Sequence, residues 1–274
     1  MTNGGGQPIF VPSNIPKSHA LESSAGNIPG QAVVTKFGRN PDTDTAASVT
    51  AVNIGRSIWD GGIAGAVNWL PPTTARTHQI ASTSANDDND GGGTNAGAQT
   101  VRVFGLDSAF ALQQEDITLN GTTNVPTGST YTMIYRMEVL TTGATGWNEG
   151  TITATADTDT TVTAQITIGN NQTLMAIYQI PAGKKGFMDR YFASLHKSGG
   201  ATKFADIFLM SMKDGGPWRV RDSTDVGSDA NMYVERPFEF KKSFEAKELI
   251  QIVANPSADA QDISAGFDLT LVDQ

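Results

Sequence analysis

The stretch TITATADTDTTVTAQITIGNNQTLMAIYQI, residues 151–180, constrains the fold more than any other. Ile152, Ala154 and Ala156 alternate with threonines. DTDT then supplies a turn, Val162, Ala164, Ile166 and Ile168 alternate again, and GNNQ turns the chain once more before Leu174, Ala176, Tyr178 and Ile180. A period of two between turn signals predicts strands, because successive side chains on a strand face opposite sides. The segment reads as a three-stranded meander, with Ile152, Val162, Ile166, Ile168, Leu174, Tyr178 and Ile180 on the buried face and Thr163 on the wet one.

The same grammar extends along the chain from QAVVTKF at 31–37. ITLNGTT at 117–123 carries an Asn-Gly pair behind alternating apolar residues, a strong short-range turn signal. KFADIFLMSMK at 203–213 is apolar on both faces and predicts an interior strand, as does ELIQIVA at 248–254. AGFDLTLVDQ, with Phe267, Leu269 and Leu271 against Asp268 and Thr270, reads as a closing edge strand or barrel stave. Only DSAFALQQED at 107–116 has helix-forming residues for about two turns, and helix and extended chain are balanced there. The expectation is an all-β chain: a jelly-roll-like β-sandwich over residues 31–274 with an extended N-terminal arm over residues 1–30.

That arm holds Pro8, Pro12, Pro16 and Pro29 with Gly4-Gly5-Gly6. Such a composition cannot offset its own ordering entropy, so its apolar residues need a surface to rest on. Ile9, Phe10, Val11 and Ile15 are the candidate partner-binding residues. At 274 residues, folding hides roughly 70–75% of the unfolded chain's surface, so a β core needs no staples. There is no cysteine, which excludes disulfides, thiolate catalysis and Cys-ligated zinc. A net charge of −9 disfavours non-specific binding to nucleic acid and to anionic membranes. No Sec-type leader is expected from the first residues, and no apolar run approaches the ~18 residues of a membrane helix.

Catalytic motifs fare poorly. SANDDNDGGGTNAGAQTVRVFGLD, from Ser84, invites a calcium-loop reading beginning at Asn86, but the twelfth position, where a bidentate Glu is required, is Gly97. No lysine follows the glycines as a phosphate loop demands, and a strand rather than a helix comes next. A surface loop around Asp87–Asp90, with glycines that allow positive φ, is the simpler reading. There is no G-x-S-x-G, and His19, His78 and His196 lie in separate segments, without the cluster a cupin-type metal site needs. Glu115-Asp116, Glu138 and Glu149 qualify for paired-carboxylate chemistry only as any acid does. No catalytic, metal or cofactor site is assigned.

Trp147 and Trp218 sit beside glycines, so each is a candidate for stacking on a sugar, against the alternative of capping an open end of the core. Trp59 and Trp69 bracket DGGIAGAVN and read as anchors of a chain crossing. Lys184-Lys185 and Lys241-Lys242 read as solvated faces or contacts to an acidic neighbour.

Three segments, IWDGGIAGAVNWLPPTTARTHQIASTSANDDNDGGGTNAGAQTVRVFGLD (58–107), EDITLNGTTNVPT (115–127) and MEVLTTGATGWNEGTITAT (137–155), resemble in their order β-rich virion structural proteins of tailed bacteriophages. YQIPAGKKGFMDRYFASL and the C-terminal FEFKKSFEAKELIQIVANPSADAQDISAGFDLTLVD fit the same pattern, so the resemblance spans residues 58–274. It implies a virion location and a structural, non-enzymatic role, such as capsid decoration, cementing or head-fibre anchoring, with the major capsid protein or other virion proteins as partners. It also implies a homo-oligomer, a trimer by the habit of jelly-roll virion proteins. A tail or neck component is the close rival. A host-glycan-binding module using Trp147 or Trp218, and a capsule depolymerase, are the competing classes; no solenoid period supports the last.

Overall fold

The computed structural model describes residues 30–44, 55–62, 68–89, 95–196, 202–227 and 232–274. Among them every regular element is a strand except one 3-10 turn, Asp60–Gly62, so the chain is all-β. The strands are β1 (Gln31–Thr43), β2 (Arg56–Ser57), β3 (His78–Ser82), β4 (Ala98–Leu106), β5 (Leu112–Thr118), β6 (Val125–Pro126), β7 (Met133–Thr142) and β8 (Ile152–Ala156). They continue with β9 (Val162–Ile166), β10 (Ile177–Gln179), β11 (Lys184–His196), β12 (Phe204–Met212), β13 (Trp218–Gly227), β14 (Tyr233–Phe244), β15 (Leu249–Pro256) and β16 (Gln261–Asp273).

Two pairs of sheets enclose two hydrophobic clusters. In the first pair, one sheet runs β1-β16-β11-β14 and the other β10-β15-β12-β13, with β2 also on β15. Their inner faces meet around Trp59, Tyr178, Tyr191, Phe244 and Phe267, all essentially inaccessible to water. Burial of rings this size contributes about 1.5–3 kcal/mol each. The second pair, β6-β3-β8-β9 over β5-β4-β7, encloses a cluster built mostly of Ile, Val and Ala side chains.

β2 and β10 are two halves of one strand. Arg56 and Ser57 pair with Ala254 and Val253, while Ile177, Tyr178 and Gln179 pair with Gln251, Ile250 and Leu249. Between them Ile58 and Ala176 meet opposite Ile252: Ile58 N donates to Ile252 O at 3.0 Å, and Ile252 N to Ala176 O at 3.1 Å. The chain leaves this line at Trp59, builds the second pair of sheets, and returns alongside itself at Met175, bridged to Trp59. β15 therefore reads one continuous partner although more than a hundred residues lie inside it.

The three-stranded sheet is shared. Val101, Val103, Ile134 and Met137 face the second cluster, whereas Phe104, Leu106, Met133 and Tyr135 face the first. A register shift at Phe104/Gly105 accompanies this division. Gly105 is required there, since a Cβ would lie 2.3 Å from Met133 O.

Several expectations are borne out. β12 and β15 are interior strands, Asn120-Gly121 turns the chain with Gly121 at φ +54°, and Trp59 and Trp69 are buried where the chain crosses. Others are corrected. Residues 107–116 hold no helix: the Asp107 carboxylate accepts Ala109 N and Ala111 N, closing a tight turn with Phe110 at φ +62°, and β5 follows. The meander is a hairpin only, because β8 and β9 pair but the third strand, β10, crosses to β15 in the other sheet pair. Ile168 is exposed, since β9 ends at Ile166 and Gly169 at φ +79° turns the chain outward. Thr163 is fully buried rather than wet: Trp69 Nε1 donates to its carbonyl at 2.8 Å, and Gln165 Nε2 donates to Asp60 O at 2.7 Å, so the crossing segment covers that side of β9. β16 is no edge but lies between β1 and β11 along its length.

Candidate functional site

The acidic stretch before β4 is not a plain surface loop where it is described. Asp87 is buried, and its carboxylate accepts four hydrogen bonds: from Ala98 N and Glu149 N on Oδ1, each at 2.8 Å, and from Ser82 Oγ at 2.6 Å and Gly150 N at 2.8 Å on Oδ2. Its carbonyl accepts Gly121 N at 2.9 Å. Asp88 is buried too and bridges to Asn120. Two carboxylate oxygens offer about four lone-pair positions, and protein donors fill all four. Asp87 thus ties four segments together and has no capacity left for a cation. Gly97 permits the tie, since a Cβ there would stand 2.1 Å from Asp87 Oδ1. Asp90 and the glycines after it lie outside the described residues.

The other acids singled out in the sequence are engaged separately. Glu115 accepts Gly128 N and Tyr131 Oη, Asp116 takes both Nε and Nη2 of Arg102, Glu138 pairs with Arg136, and Glu149 accepts Asn86 Nδ2. Arg102 holds the Asp116 carboxyl below the usual range. His78 is buried at the start of β3, and burial pushes its imidazole down to about 4. His196 ends β11 and is exposed. Among the described residues no group of three or more His, Asp or Glu side chains is placed to hold a metal ion.

Trp147 is 53% exposed in the turn between β7 and β8, while Trp218 opens β13, half-buried against the first cluster. They belong to different sheet pairs. Ile9, Phe10, Val11 and Ile15 lie outside the described residues.

The surface that the sequence reading missed is the outer face of the sheet β1-β16-β11-β14. Phe37 on β1 and Phe192 on β11 both pair in register with Gly266 of β16, between them. A Cβ at Gly266 would lie 2.5 Å from Phe192 Cζ, so the glycine lets that ring lie across the middle strand. The Phe37 and Phe192 rings are stacked, with centroids 6.5 Å apart and planes 18° apart; Phe192 and Tyr233 of β14 are again 6.5 Å apart, tilted by 33°. The row crosses the whole sheet, with Phe37 and Tyr233 half-exposed at its ends.

Polar groups frame the row. Arg190, over the Phe192 ring at 5.7 Å, donates to Glu235 at 2.7 Å and to Asp268 at 2.6 Å. These bonds raise the Arg190 pKa and hold Glu235 below the usual carboxylate range. Thr35 donates to Asp268 at 2.7 Å, Arg39 grips Asp262 through Nε and Nη2, and Tyr233 Oη donates to Glu235 at 3.2 Å. The signal in the sequence was a Phe or Tyr on strands far apart in the chain, which only the pairing of β1, β11, β14 and β16 brings into one row.

Two further features mark this end of the molecule. In β14 four residues, Phe238 to Lys241, stand opposite Asp189 alone, and the bulge leaves Phe240 86% exposed while Phe238 packs back on Tyr191. On the facing sheet, Glu248 is buried and accepts Ser211 Oγ at 2.6 Å, Arg221 Nη1 at 2.9 Å and Glu245 N at 2.9 Å, closing the floor of a shallow cleft beside Lys213 and Arg219.

No family model matches the chain, and no curated protein does. Among solved structures it aligns with that of infectious bursal disease virus, Gx strain, at 10% identity over 88% of this chain and 72% of that chain, with a TM-score of 0.24. The VP2 subviral particle of the same virus aligns at 12% identity over 91% and 73%, with a TM-score of 0.20. Scores of this size define no shared fold, and none is inferred from them.

Proposed function

We propose that the chain is a virion structural protein of a tailed bacteriophage, working through surfaces. The observation that carries the reading is the strand order of the first sheet pair. Counting β2 and β10 as one strand, eight strands lie in the order 1-8-3-6 over 2-7-4-5. That is the two-Greek-key order of a jelly roll, an architecture that shell-forming and shell-bound proteins use widely. The sequence resemblance to phage virion proteins supports the same class. Engagement of each prominent acid by its own partner is consistent with a role in which side chains fix shape.

Within this class we favour a decoration or cement protein on the capsid surface. It would bind the major capsid protein through the β domain, residues 31–274, and through the arm, residues 1–30, acting on its neighbours as a homo-oligomer, with a trimer the first expectation. A standard interface of ~1,600 Å² suffices for tight binding without chemistry, and a tethered arm adds avidity by raising its effective concentration. A density map of assembled particles, set beside one of particles lacking this chain, tests the proposal. Extra density outside the shell in the first map alone is expected. Absence of the chain from purified particles would overturn the virion role; density at the neck or tail would overturn only the decoration role.

A further inference from the structure

We propose that the outer face of the sheet β1-β16-β11-β14 is a binding platform for a neutral, β-linked polysaccharide, with Phe37 and Tyr233 as its stacking residues and Phe192, under the Arg190 guanidinium, as the ring that joins them. The sugar's faces carry C–H groups and its rim carries hydroxyls, so its natural complement is a run of exposed rings edged by fixed hydrogen-bonding groups. This face has both. The rings follow one another at equal spacing with modest tilts, which suits a flat, extended glycan ribbon better than a helical one. The edges are held in place before any ligand arrives: Arg190 places two of its five N–H donors on Glu235 and Asp268, and Asp262 is clasped by Arg39. Preorganised edges spare a ligand the cost of ordering them.

Charge selects the class of ligand. The framing groups are all ion-paired, three bases with four acids: Arg39 with Asp262, Arg190 with both Asp268 and Glu235, Lys241 with Asp189. The face therefore carries one acid in excess and no uncompensated cationic field, in a chain whose net charge is −9. An anionic glycan would gain nothing locally and would be repelled globally, whereas an uncharged one loses nothing. This platform is distinct from Trp147 and Trp218, which lie on other elements. If many copies stand on one particle, weak single-site binding multiplies through avidity.

Isothermal titration of the full chain with three neutral β-1,4-linked hexasaccharides, cellohexaose, hexa-N-acetylchitohexaose and mannohexaose, tests this. A β-1,4-mannuronate hexamer has the same linkage with a carboxylate on each ring and serves as the charged control. Saturable binding to at least one neutral hexamer is expected. Phe37→Ala and Tyr233→Ala, both at half-exposed positions on different strands, should each weaken it about tenfold. Trp147→Ala should leave it unchanged. Melting curves of the variants confirm that the fold is kept. The platform is overturned if no neutral hexamer binds at millimolar concentration, if both alanine variants bind as the parent does, if affinity follows Trp147 instead, or if the mannuronate hexamer binds as tightly. Because the titration uses the isolated chain, its outcome is separate from that of the particle maps.

Discussion

The two hydrophobic clusters are built on different principles. The first is filled by large rings, including Trp59, Tyr135, Tyr178, Tyr191, Phe244 and Phe267. In the second, Tyr131 is the one ring among the described buried residues, and Ala98, Ala154 and Ala164 replace large side chains between the sheets. A thinner core yields less from burial. The second pair makes up for this at its loops. Asp87 binds four donors, and Asn148, fully buried, donates to Gly150 O and Thr167 O while exchanging reciprocal hydrogen bonds with Asn171. The first pair adds a row of ion pairs on the outer face of one sheet and one buried lock at Glu248; the second places its locks, Asp87 and Asn148, at its loops.

The largest expected effect falls on the strongest lock. Asp87→Ala leaves three backbone N–H groups and a serine without their acceptor, at ~1–3 kcal/mol for each buried group left unsatisfied. Denaturant unfolding should show a loss of about 4–6 kcal/mol. A loss below about 1 kcal/mol would mean that water replaces the carboxylate and that the lock is ornamental.

Next comes the thin core itself. Ile166→Ala should cost about 2–5 kcal/mol. Thr163→Ala on the opposite side of β9 should also cost about 1 kcal/mol or more, because that side is covered by the Trp69 segment. A neutral Thr163→Ala would reopen that side to water.

A smaller effect tests the crossing between the two pairs. Asp60 is buried where the chain leaves β2, accepts Thr167 N at 3.2 Å, and burial pushes its carboxyl up to about 7. The folded state therefore binds a proton that the unfolded state releases above about 4, so stability falls as pH rises from about 4 to about 7. Asp60→Asn should flatten that fall and raise stability at pH 8 by about 2–3 kcal/mol. His78 acts oppositely: its depressed value makes stability fall as pH drops from about 6.5 to about 4. Thermal melts across pH for parent and variant separate the two slopes. An unchanged profile in Asp60→Asn would remove the carboxyl from the account.

The smallest effect belongs to Trp147→Ala, expected within about 0.5 kcal/mol of the parent, since the ring is half in solvent and belongs to neither cluster.

Local pattern made the strands legible, and partner choice stayed hidden. Alternation marked Ile152–Ala156 and Val162–Ile166 correctly, yet nothing local says that Ile177–Gln179 should leave its hairpin for a strand seventy residues on. AGFDLTLVDQ looked like an edge because its polar residues alternate; those residues are instead the floor of the framed aromatic face, with Asp268 held by Arg190 and Thr35. Thr163 looked wet because threonine tolerates both settings, and what covers it is contributed from a hundred residues earlier. The candidate platform was illegible for the same reason. Asp87 was equally hidden: its acidic, glycine-rich setting reads as a surface loop, and only the fold shows that Gly97 leaves room for its carboxylate.

The position of β16 sets a schedule for synthesis. Gln31 pairs with Val272, and the same last strand also supports β11. The sheet that displays Phe37 and Phe192 cannot close until Gln261–Asp273 has left the ribosome, whereas residues 78–166 hold all the strands of their own sheet pair much earlier. Non-local pairing of this kind is slow, and the nascent chain must wait with β1 unpaired. The inserted sandwich can be complete first, while the last strand returns to close on β1 and β11.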